Sequence, residues 1–293
     1  MKTLTPELEA LLATHHYTSC DLFTLTLPNA SVIRKTSLPG LSVVWNGNLF
    51  AHDGIAMARG TITSKLHTDS LDVDNVDITL TFTPNDTLSG LPVAAFVRNG
   101  GLDGARLLIQ KGFCAVDTAG NTSPTVTGVI FLFEGRISEP RCGRMQVTAQ
   151  LIADTERLKV NVPRNTINPY CMNTLFDSVC SKLESDYTHT NQTVTSATKT
   201  TITATLPGAA GFYTLGRVVF TSGQNAGASR TVKSWNGSVL QLAYPLDYTP
   251  QAGDTFNAIA GCDLSDGVNG CLKFNNLPNR RAFPFVPAYE ENL

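Results

Sequence analysis

Apolar and polar residues alternate in several segments of the first half of the chain, as expected for β-strands that have one buried face. The segment Asp21–Leu27 shows this alternation, and residues 104–115, 126–137 and 144–152 are also predicted to be strands. Their Thr and Val residues favour strands, because a branched Cβ atom packs well on a pleated surface. We therefore predict one β-rich domain over about residues 15–160.

Two short helices and one hairpin are predicted in the same half of the chain. Residues 5–14 have their leucines on one side of a helix, and Ser89–Arg98 is predicted to form a second short helix. Asn46 and Gly47 stand between two apolar runs, and both tolerate the positive φ that a tight turn requires. The two runs are therefore predicted to pair as an antiparallel hairpin.

The pattern changes near residue 163. Pro163 and Pro169 interrupt any strand, and Met172–Leu183 then has apolar residues at a spacing of about 3.6 positions, which predicts a helix. Asn173 is placed to cap this helix through its side-chain oxygen. The polar stretch Ser185–Thr200 is predicted to be a loop or linker.

The rest of the chain is predicted to be β-structure followed by loops. Residues 201–260 form a second β module with Gly-rich turns, and Gly261–Leu293 is predicted to be loop-like. We therefore predict a mainly β fold with a minor α component and two domains. A β-rich domain spans residues 1–162, and a C-terminal domain spans residues 163–293 with an inserted β module over about 186–260.

Composition and charge exclude several classes of function. Charged residues make up only 16% of the chain and the formal net charge is −2, so nothing indicates a nucleic-acid site. Arg280 and Arg281 are accordingly predicted to face solvent or to contact another subunit. No apolar run reaches the roughly 20 residues of a membrane span. Glu7 and Glu9 interrupt the apolar N-terminus, so we expect no signal peptide and folding in the cytoplasm.

Four of the seven cysteines form two matched pairs. Eight residues separate Cys171 from Cys180, and eight also separate Cys262 from Cys271. In a reducing compartment, paired cysteines indicate metal binding more often than disulfides. Thiolates are soft ligands that favour iron–sulfur clusters, zinc or copper(I).

The spacing within each pair also constrains its geometry. On one straight helix Cys171 and Cys180 would face opposite sides, so Cys171 must precede the helix if both bind one metal centre. In the second pair, Gly267 and Gly270 allow the chain to fold back and bring the two cysteines together. Zinc sites prefer shorter spacing within a pair, so this spacing favours the larger iron–sulfur cluster over zinc.

Other interpretations of the cysteines stay open. The four can simply be buried apolar residues of a metal-free β-rich binding module, whose fold would ignore chelators. Cys20, Cys114 and Cys142 show no pairing in the sequence, and Cys114 is predicted to lie in the core. The usual hydrolase, metalloprotease and nucleotide-binding motifs are absent, so we predict that the chain is not an enzyme. An iron–sulfur or zinc enzyme of unknown substrate is the alternative.

The residues around the cysteines resemble a known family. The motifs are Tyr170-Cys171-x-x-x-Leu175-Phe176-Asp177-x-x-Cys180, Gly261-Cys262-Asp263, Cys271-x-Lys273-Phe274-Asn275-Asn276 and Phe283-Pro284-Phe285-Val286-Pro287. They are similar to those of baseplate hub or tail tip proteins of tailed phages. This family includes hub proteins of gene transfer agents and of phages with long, non-contractile tails, and is functionally similar to the tail tip protein L of phage lambda.

The resemblance implies a structural virion protein rather than an enzyme. Members form a homotrimer at the distal end of the tail, between the distal tail protein and the central fibre or spike, and their N-terminal β domain resembles the tail tube. It also implies that Cys171, Cys180, Cys262 and Cys271 hold a structural [4Fe–4S] cluster, with zinc as the alternative. The cluster would then pin the Met172–Leu183 segment to the C-terminal segment and close the long loop between them.

One part of the motif departs from the family. The family usually continues Asn-Phe-Arg-Gly-Phe-Pro, whereas this chain has Asn279-Arg280-Arg281-Ala282-Phe283-Pro284. Without Gly at position 282 fewer backbone angles are accessible there, so the local turn is expected to differ.

Overall fold

The computed structural model describes residues 4–63, 74–117, 119–159 and 167–286. Contacts divide the chain into two compact units, Met1–Val160 and Asn161–Leu293. Each unit is built on an antiparallel sheet, and the mainly β fold is confirmed. The predicted domain boundary after residue 162 lies outside the described residues and stays a prediction. No helix in the described ranges is long and apolar enough to cross a membrane.

The first unit contains two helices and a large sheet. The helices are α1 (Pro6–Thr14) and α2 (Val93–Arg98), and a 3-10 helix spans Asp154–Leu158. The strands described in this unit are β1 (Tyr17–Thr26), β2 (Val32–Thr36), β3 (Val43–Trp45), β4 (Asn48–Phe50), β5 (Ala56–Thr63), β6 (Asn75–Thr81), β7 (Thr87–Leu88), β8 (Leu91–Pro92), β9 (Arg106–Val116), β10 (Thr122–Cys142) and β11 (Gln146–Ile152). The segments predicted as strands from sequence alternation are therefore strands.

The main sheet of the first unit has the order β2-β1-β9-β10-β11-β6-β5. Its neighbours on this path are antiparallel, and β3 adds a short parallel contact to β10 where Val44 lies opposite Thr125. Alternate residues of the central strands, such as Phe23 and Leu25, point into a core that is shielded from water. The burial pattern follows from the period of two along a strand.

Local sequence signals explain both the first helix and the hairpin. Thr5 accepts a hydrogen bond from the Leu8 N–H group at its side-chain oxygen, and Pro6 occupies the first helical turn, where no N–H donor is needed. Asn46 and Gly47 both have positive φ between β3 and β4. The predicted helix at residues 5–14 and the predicted hairpin are therefore confirmed.

The second unit contains a seven-stranded antiparallel sheet. Its strands are β12 (Thr188–Thr193), β13 (Ser196–Ala197), β14 (Thr201–Thr203), β15 (Arg217–Phe220), β16 (Ser229–Trp235), β17 (Val239–Leu242) and β18 (Thr255–Ile259). Their order is β12-β18-β15-β16-β17-β14-β13. Tyr213, Phe220 and Phe256 are among the fully buried side chains of its core. Further 3-10 helices span Glu184–Tyr187, Cys271–Phe274 and Leu277–Asn279.

The predicted helix at Met172–Leu183 is wrong, because this segment is a series of turns. Phe176 and Ser181 have positive φ, which a right-handed helix does not allow. The carboxylate of Asp177 accepts hydrogen bonds from nearby backbone N–H groups, and such local bonds compete with helix formation. Asn173 does not cap a helix; its side-chain amide donates to the carbonyl of Asn279 at 2.9 Å.

The predicted loop at Ser185–Thr200 is also wrong in part. The range contains β12 and β13, which lie at the two ends of the second sheet. Edge strands tolerate polar side chains because one side of the strand is open to water. Val194, only 1% exposed, anchors the connection between the two strands in the core.

Candidate metal centre

The four paired cysteines lie in the second unit and are all free thiols. Cys171, Cys180 and Cys271 are buried, and Cys262 is half-buried. None of the four lies in a regular helix or strand except Cys271, which begins a 3-10 helix. Turns and hydrogen bonds therefore position them.

The first pair is positioned by a turn that Asp177 organises. Its Oδ1 atom accepts from the Cys180 N–H group at 2.6 Å, and its Oδ2 atom accepts from the Thr174 N–H group at 2.9 Å. The bond from Cys180 is the main reason that the pKa of Asp177 lies below its usual value. At the other end of the turn, the Cys171 N–H group donates to the Leu264 carbonyl at 2.9 Å. The first pair is thus joined to the segment that carries the second.

The second pair is positioned by the loop that follows Cys262. The Asp263 side chain accepts from the backbone N–H and the hydroxyl of Ser265, at 2.9 and 2.7 Å. The Cys271 N–H group then donates to the Ser265 carbonyl at 2.9 Å. The Leu264 N–H group points at the Cys262 sulfur, 3.4 Å away. The chain folds back between the two cysteines, as their spacing predicted.

Asn276 links one pair to the other, a role that its place in the sequence motif does not reveal. Its side-chain amide donates to the Cys180 carbonyl at 2.6 Å and lies 3.4 Å from the Cys180 sulfur. Its backbone N–H group donates to the Cys271 carbonyl at 3.1 Å. Asn276 is only 4% exposed, so these bonds form away from water. Its oxygen accepts from the Asn279 amide, which fixes the orientation of the side chain.

The four thiols are close enough to influence one another electrostatically. Burial is the main cause that raises the pKa of Cys271 to about 11, and the charges of Cys262, Cys171 and Cys180 add to the effect. Burial also raises the pKa of Cys262, and the charge of Cys171 contributes. Four thiolates would therefore repel one another strongly unless a positive charge lay among them.

The donor set fits a soft metal centre. Four free thiols gather in one place, and N–H groups of Leu264 and Asn276 point at two of the sulfurs. Thiolates that accept such hydrogen bonds are typical ligands of iron–sulfur clusters. Among the described residues, no three His, Cys, Asp or Glu side chains are arranged to hold a single metal ion.

Two backbone segments cross closely just before the second pair. A Cβ atom at Gly261 would clash with backbone atoms of Thr214 and Gly216, and one at Gly216 would clash with the Ile259 carbonyl. Only glycine therefore fits at either position. At this crossing the start of β15 packs directly against the segment that follows β18 and leads to Cys262.

Cys114 lies in the core, as predicted, and the structure adds a contact that the sequence did not show. Cys20 and Cys114 lie on the neighbouring strands β1 and β9, both are buried, and their thiols interact. The hydrogen bond from Cys114 is the main cause that lowers the pKa of Cys20 to about 7, and the pKa of Cys114 is raised in turn. Their sequence spacing gave no sign of this, because the contact depends on the register of the two strands. Cys142 is half-buried, and its thiol donates to the carbonyl of Gly143.

Two family models match this sequence. Residues 5–182, more than half of the chain, match the family described as "Baseplate hub protein, N-terminal attachment domain". Residues 211–290 match a second family, described as "Phage conserved hypothetical protein BR0599". The first match contains Cys171 and Cys180, and the second contains Cys262 and Cys271.

A solved structure has a similar fold. It is a chain from a structure described as "Virion of native gene transfer agent (GTA) particle", with a TM-score of 0.69 and 23% sequence identity. The match covers 98% of this chain and 94% of that chain. A search of curated proteins finds no match. The chain thus belongs to the phage baseplate hub protein family, a family of structural virion proteins, which confirms the predicted family, virion location and non-enzymatic role.

Proposed function

We propose that this chain is the trimeric hub of a phage tail and carries a structural [4Fe–4S] cluster. Three copies would form the baseplate hub or tail tip of a phage with a long, non-contractile tail. They would join the distal tail protein at the tube end to the central fibre or spike, with the N-terminal β domain continuing the tube. The family match over residues 5–182 supports the hub assignment. The chain from the gene transfer agent virion shares the fold along nearly its whole length, which supports a place in a tail assembly.

One observation carries the cluster proposal. Hydrogen bonds join the segments that carry two cysteine pairs far apart in sequence, and all four thiols are free, which supports a shared site. The cluster would supply a covalent cross-link between the turn at Cys171–Cys180 and the loop at Cys262–Cys271. The chain's own residues would do the rest: Asp177 and Asn276 orient the Cys180 segment, and burial keeps water from Cys171, Cys180 and Cys271.

The iron content of the chain tests the cluster directly. The chain is purified without oxygen, and its visible absorbance and iron-to-protein ratio are measured. We expect a brown protein with about four irons per chain. Cys180→Ser and Cys271→Ser should lose the colour and the iron, whereas Cys142→Ser, a thiol of the other unit, should keep both.

Two other outcomes would contradict the proposal. A colourless protein with one zinc per chain would leave a four-thiolate site but replace the metal. A colourless protein without metal would show that the four cysteines are buried apolar residues and not metal ligands. The hub assignment would survive both outcomes, since it rests on the family and not on the metal.

A further inference from the structure

A turn late in the second unit projects an aromatic side chain into solvent. The Val286 N–H group donates to the Phe283 carbonyl at 3.1 Å, which closes a four-residue turn over residues 283–286, called here the Phe285 turn. Pro284 occupies its second position, where the fixed φ of proline is favourable, and Phe285 occupies the third. Phe285 is 99% exposed. A large apolar side chain is therefore held out in water by a turn with little conformational freedom.

The Phe285 turn is anchored to an earlier segment of the same unit. The Phe283 N–H group donates to the Asn168 carbonyl at 2.9 Å. The prediction that Arg280 faces solvent or another subunit is wrong, because its side chain is largely buried and donates to the Pro169 carbonyl at 2.9 Å. The two segments thus lie side by side, and these bonds fix the position of the turn.

The two segments together expose a large apolar patch. Besides Phe285, Tyr170 is 54% exposed and Phe283 is 47% exposed. At ~200 Å² per aromatic side chain, the three rings leave on the order of 400 Å² in water. Ile167 and Met172 are also exposed and extend the patch. Patches of this size are typical of contact surfaces, and the rings alone supply about half of the ~800 Å² that each partner buries in a specific interface.

The same unit contains a cleft whose size and chemistry fit this turn. The cleft has a volume of about 340 Å³. Its apolar lining includes Leu175, Phe176, Leu215, Ile259 and Ala260. A cavity of about 150 Å³ with such a lining already binds benzene, so the cleft has room for the Phe285 ring and the neighbouring Pro284 ring. The lining comes from segments other than the turn.

The charges at the cleft do not oppose an apolar occupant. Glu184 and Arg217 are the charged residues of its lining, and Arg217 donates to the Glu184 carboxylate at 2.6 Å. The two charges therefore neutralise each other within the chain. The Phe285 turn carries no charged residue, so its insertion would leave no charge without a counterion.

The backbone at the cleft is strained where it presents apolar side chains. Phe176 has a φ of 67° and Leu215 has a φ of 61°, in the left-handed region that bulky residues rarely adopt. Leu215 is also exposed, so the strained conformation gains no burial within the isolated chain. Strain of this kind is found at binding sites, where the bound partner uses the side chain.

We propose that the Phe285 turn of one copy of this chain inserts into the cleft of a second copy. A second copy is the occupant because one chain presents both matching surfaces, a rigid uncharged aromatic turn and an apolar cleft of sufficient volume. The turn and the cleft are different surfaces, so the contact is head-to-tail, and its repetition about an axis closes a ring. The inference rests on the several copies of the proposed hub and not on its metal centre.

Variants of the turn and of the cleft test the contact in the full-length protein. Phe285→Ser removes the inserted ring, and Leu215→Asp places a charge at the cleft in a residue type that tolerates positive φ. Leu215→Asn serves if the Asp variant does not fold. Tyr244→Ser is the matched control, since Tyr244 is an exposed aromatic residue outside both surfaces. Association is measured by sedimentation velocity over a range of concentrations, and circular dichroism checks the fold.

We expect the wild type and Tyr244→Ser to associate equally. Phe285→Ser and Leu215→Asp should each weaken association roughly 30-fold or more, the effect of losing a central aromatic anchor. An equal mixture of these two variants should form a dimer at concentrations at which neither variant associates alone. In that mixture the intact turn of one variant meets the intact cleft of the other, which only a head-to-tail contact allows.

The outcomes separate this inference from the hub proposal. A wild type that associates, with unchanged association of Phe285→Ser and Leu215→Asp, would overturn the contact and leave the several copies standing. Weakened variants whose mixture forms no dimer would overturn the head-to-tail contact. A wild type that stays monomeric throughout would overturn this inference and the proposed trimer together, whereas the iron content judges the cluster separately.

Discussion

Asn276 shows how a single side chain can hold a site together. It is buried, and its amide and backbone groups bind both Cys180 and Cys271. A buried polar group that loses its partner costs about 1–3 kcal/mol. Removing this side chain would leave the Cys180 carbonyl and the Asn279 amide without that partner.

We therefore expect Asn276→Ala to lower the free energy of unfolding of the second unit by about 1–3 kcal/mol. The measurement is a urea titration followed by the fluorescence of Trp235, which lies in the core of that unit, in a Trp45→Phe background. Asn85→Ala, at an exposed turn of the first unit, is the matched control and should change nothing. Equal midpoints for Asn276→Ala and the parent protein would contradict the role given to Asn276.

The cysteine pairs are visible in the sequence but the role of Asn276 is not, for a physical reason. The matched spacing of the two pairs is visible along the chain, whereas the contact from Asn276 to Cys180 joins residues far apart in sequence. The same limit explains Cys20 and Cys114, whose contact depends on strand register. Local patterns identify the chemistry of a residue, but its partners depend on the tertiary fold.

Among the elements, those with strong local signals were predictable. The helix α1 has a Thr cap and a Pro in its first turn, and the hairpin of β3 and β4 has Asn-Gly at its turn. The segment Met172–Leu183 has helical spacing but lacks a buried helical face, since Val179 and Leu183 are exposed. The apolar spacing predicts a helix that does not form, because the hydrogen bonds of Asp177 determine the backbone conformation there.

The crossing at Gly216 and Gly261 leads to a prediction at the scale of elements. We expect Gly261→Ala to destabilise the second unit by roughly 3 kcal/mol or more, because the new methyl group would overlap the backbone of a neighbouring segment. The same urea titration measures it. Gly60→Ala in β5 is the matched control, since its methyl group would make only ordinary contacts with Asp77. A wild-type midpoint for Gly261→Ala would show that the segments can move apart.

At the scale of the whole molecule, membership of the hub family places the chain in the virion. The proposed hub joins two larger assemblies, so a locally disordered cysteine site would be expected to disturb their connection. The effect of a disordered cysteine site on tail assembly can be tested in infected cells as well as in the isolated protein.

We expect a phage supplied only with Cys180→Ser or Cys271→Ser hub protein to assemble few complete tails. The reason is that each variant would release the turn or loop that the cluster holds. Electron microscopy of lysates and plaque counts measure the effect, and Cys142→Ser is the control. Normal numbers of infectious particles from both site variants would rule out a structural need for the metal centre.

The pairing of β12 with β18 has a further consequence. In chain order these are the first and last strands of the second sheet, and they are neighbours in it, with Thr188 opposite Ile259. The chain therefore enters and leaves the sheet at one place, so the long connection between Cys180 and Cys262 is already closed by strand pairing. The expected cost of closing a long loop does not fall on the metal centre. A module with adjacent ends can change length in the turns far from those ends without separating the residues on either side, so the turns of this sheet can vary while the two cysteine pairs stay in place.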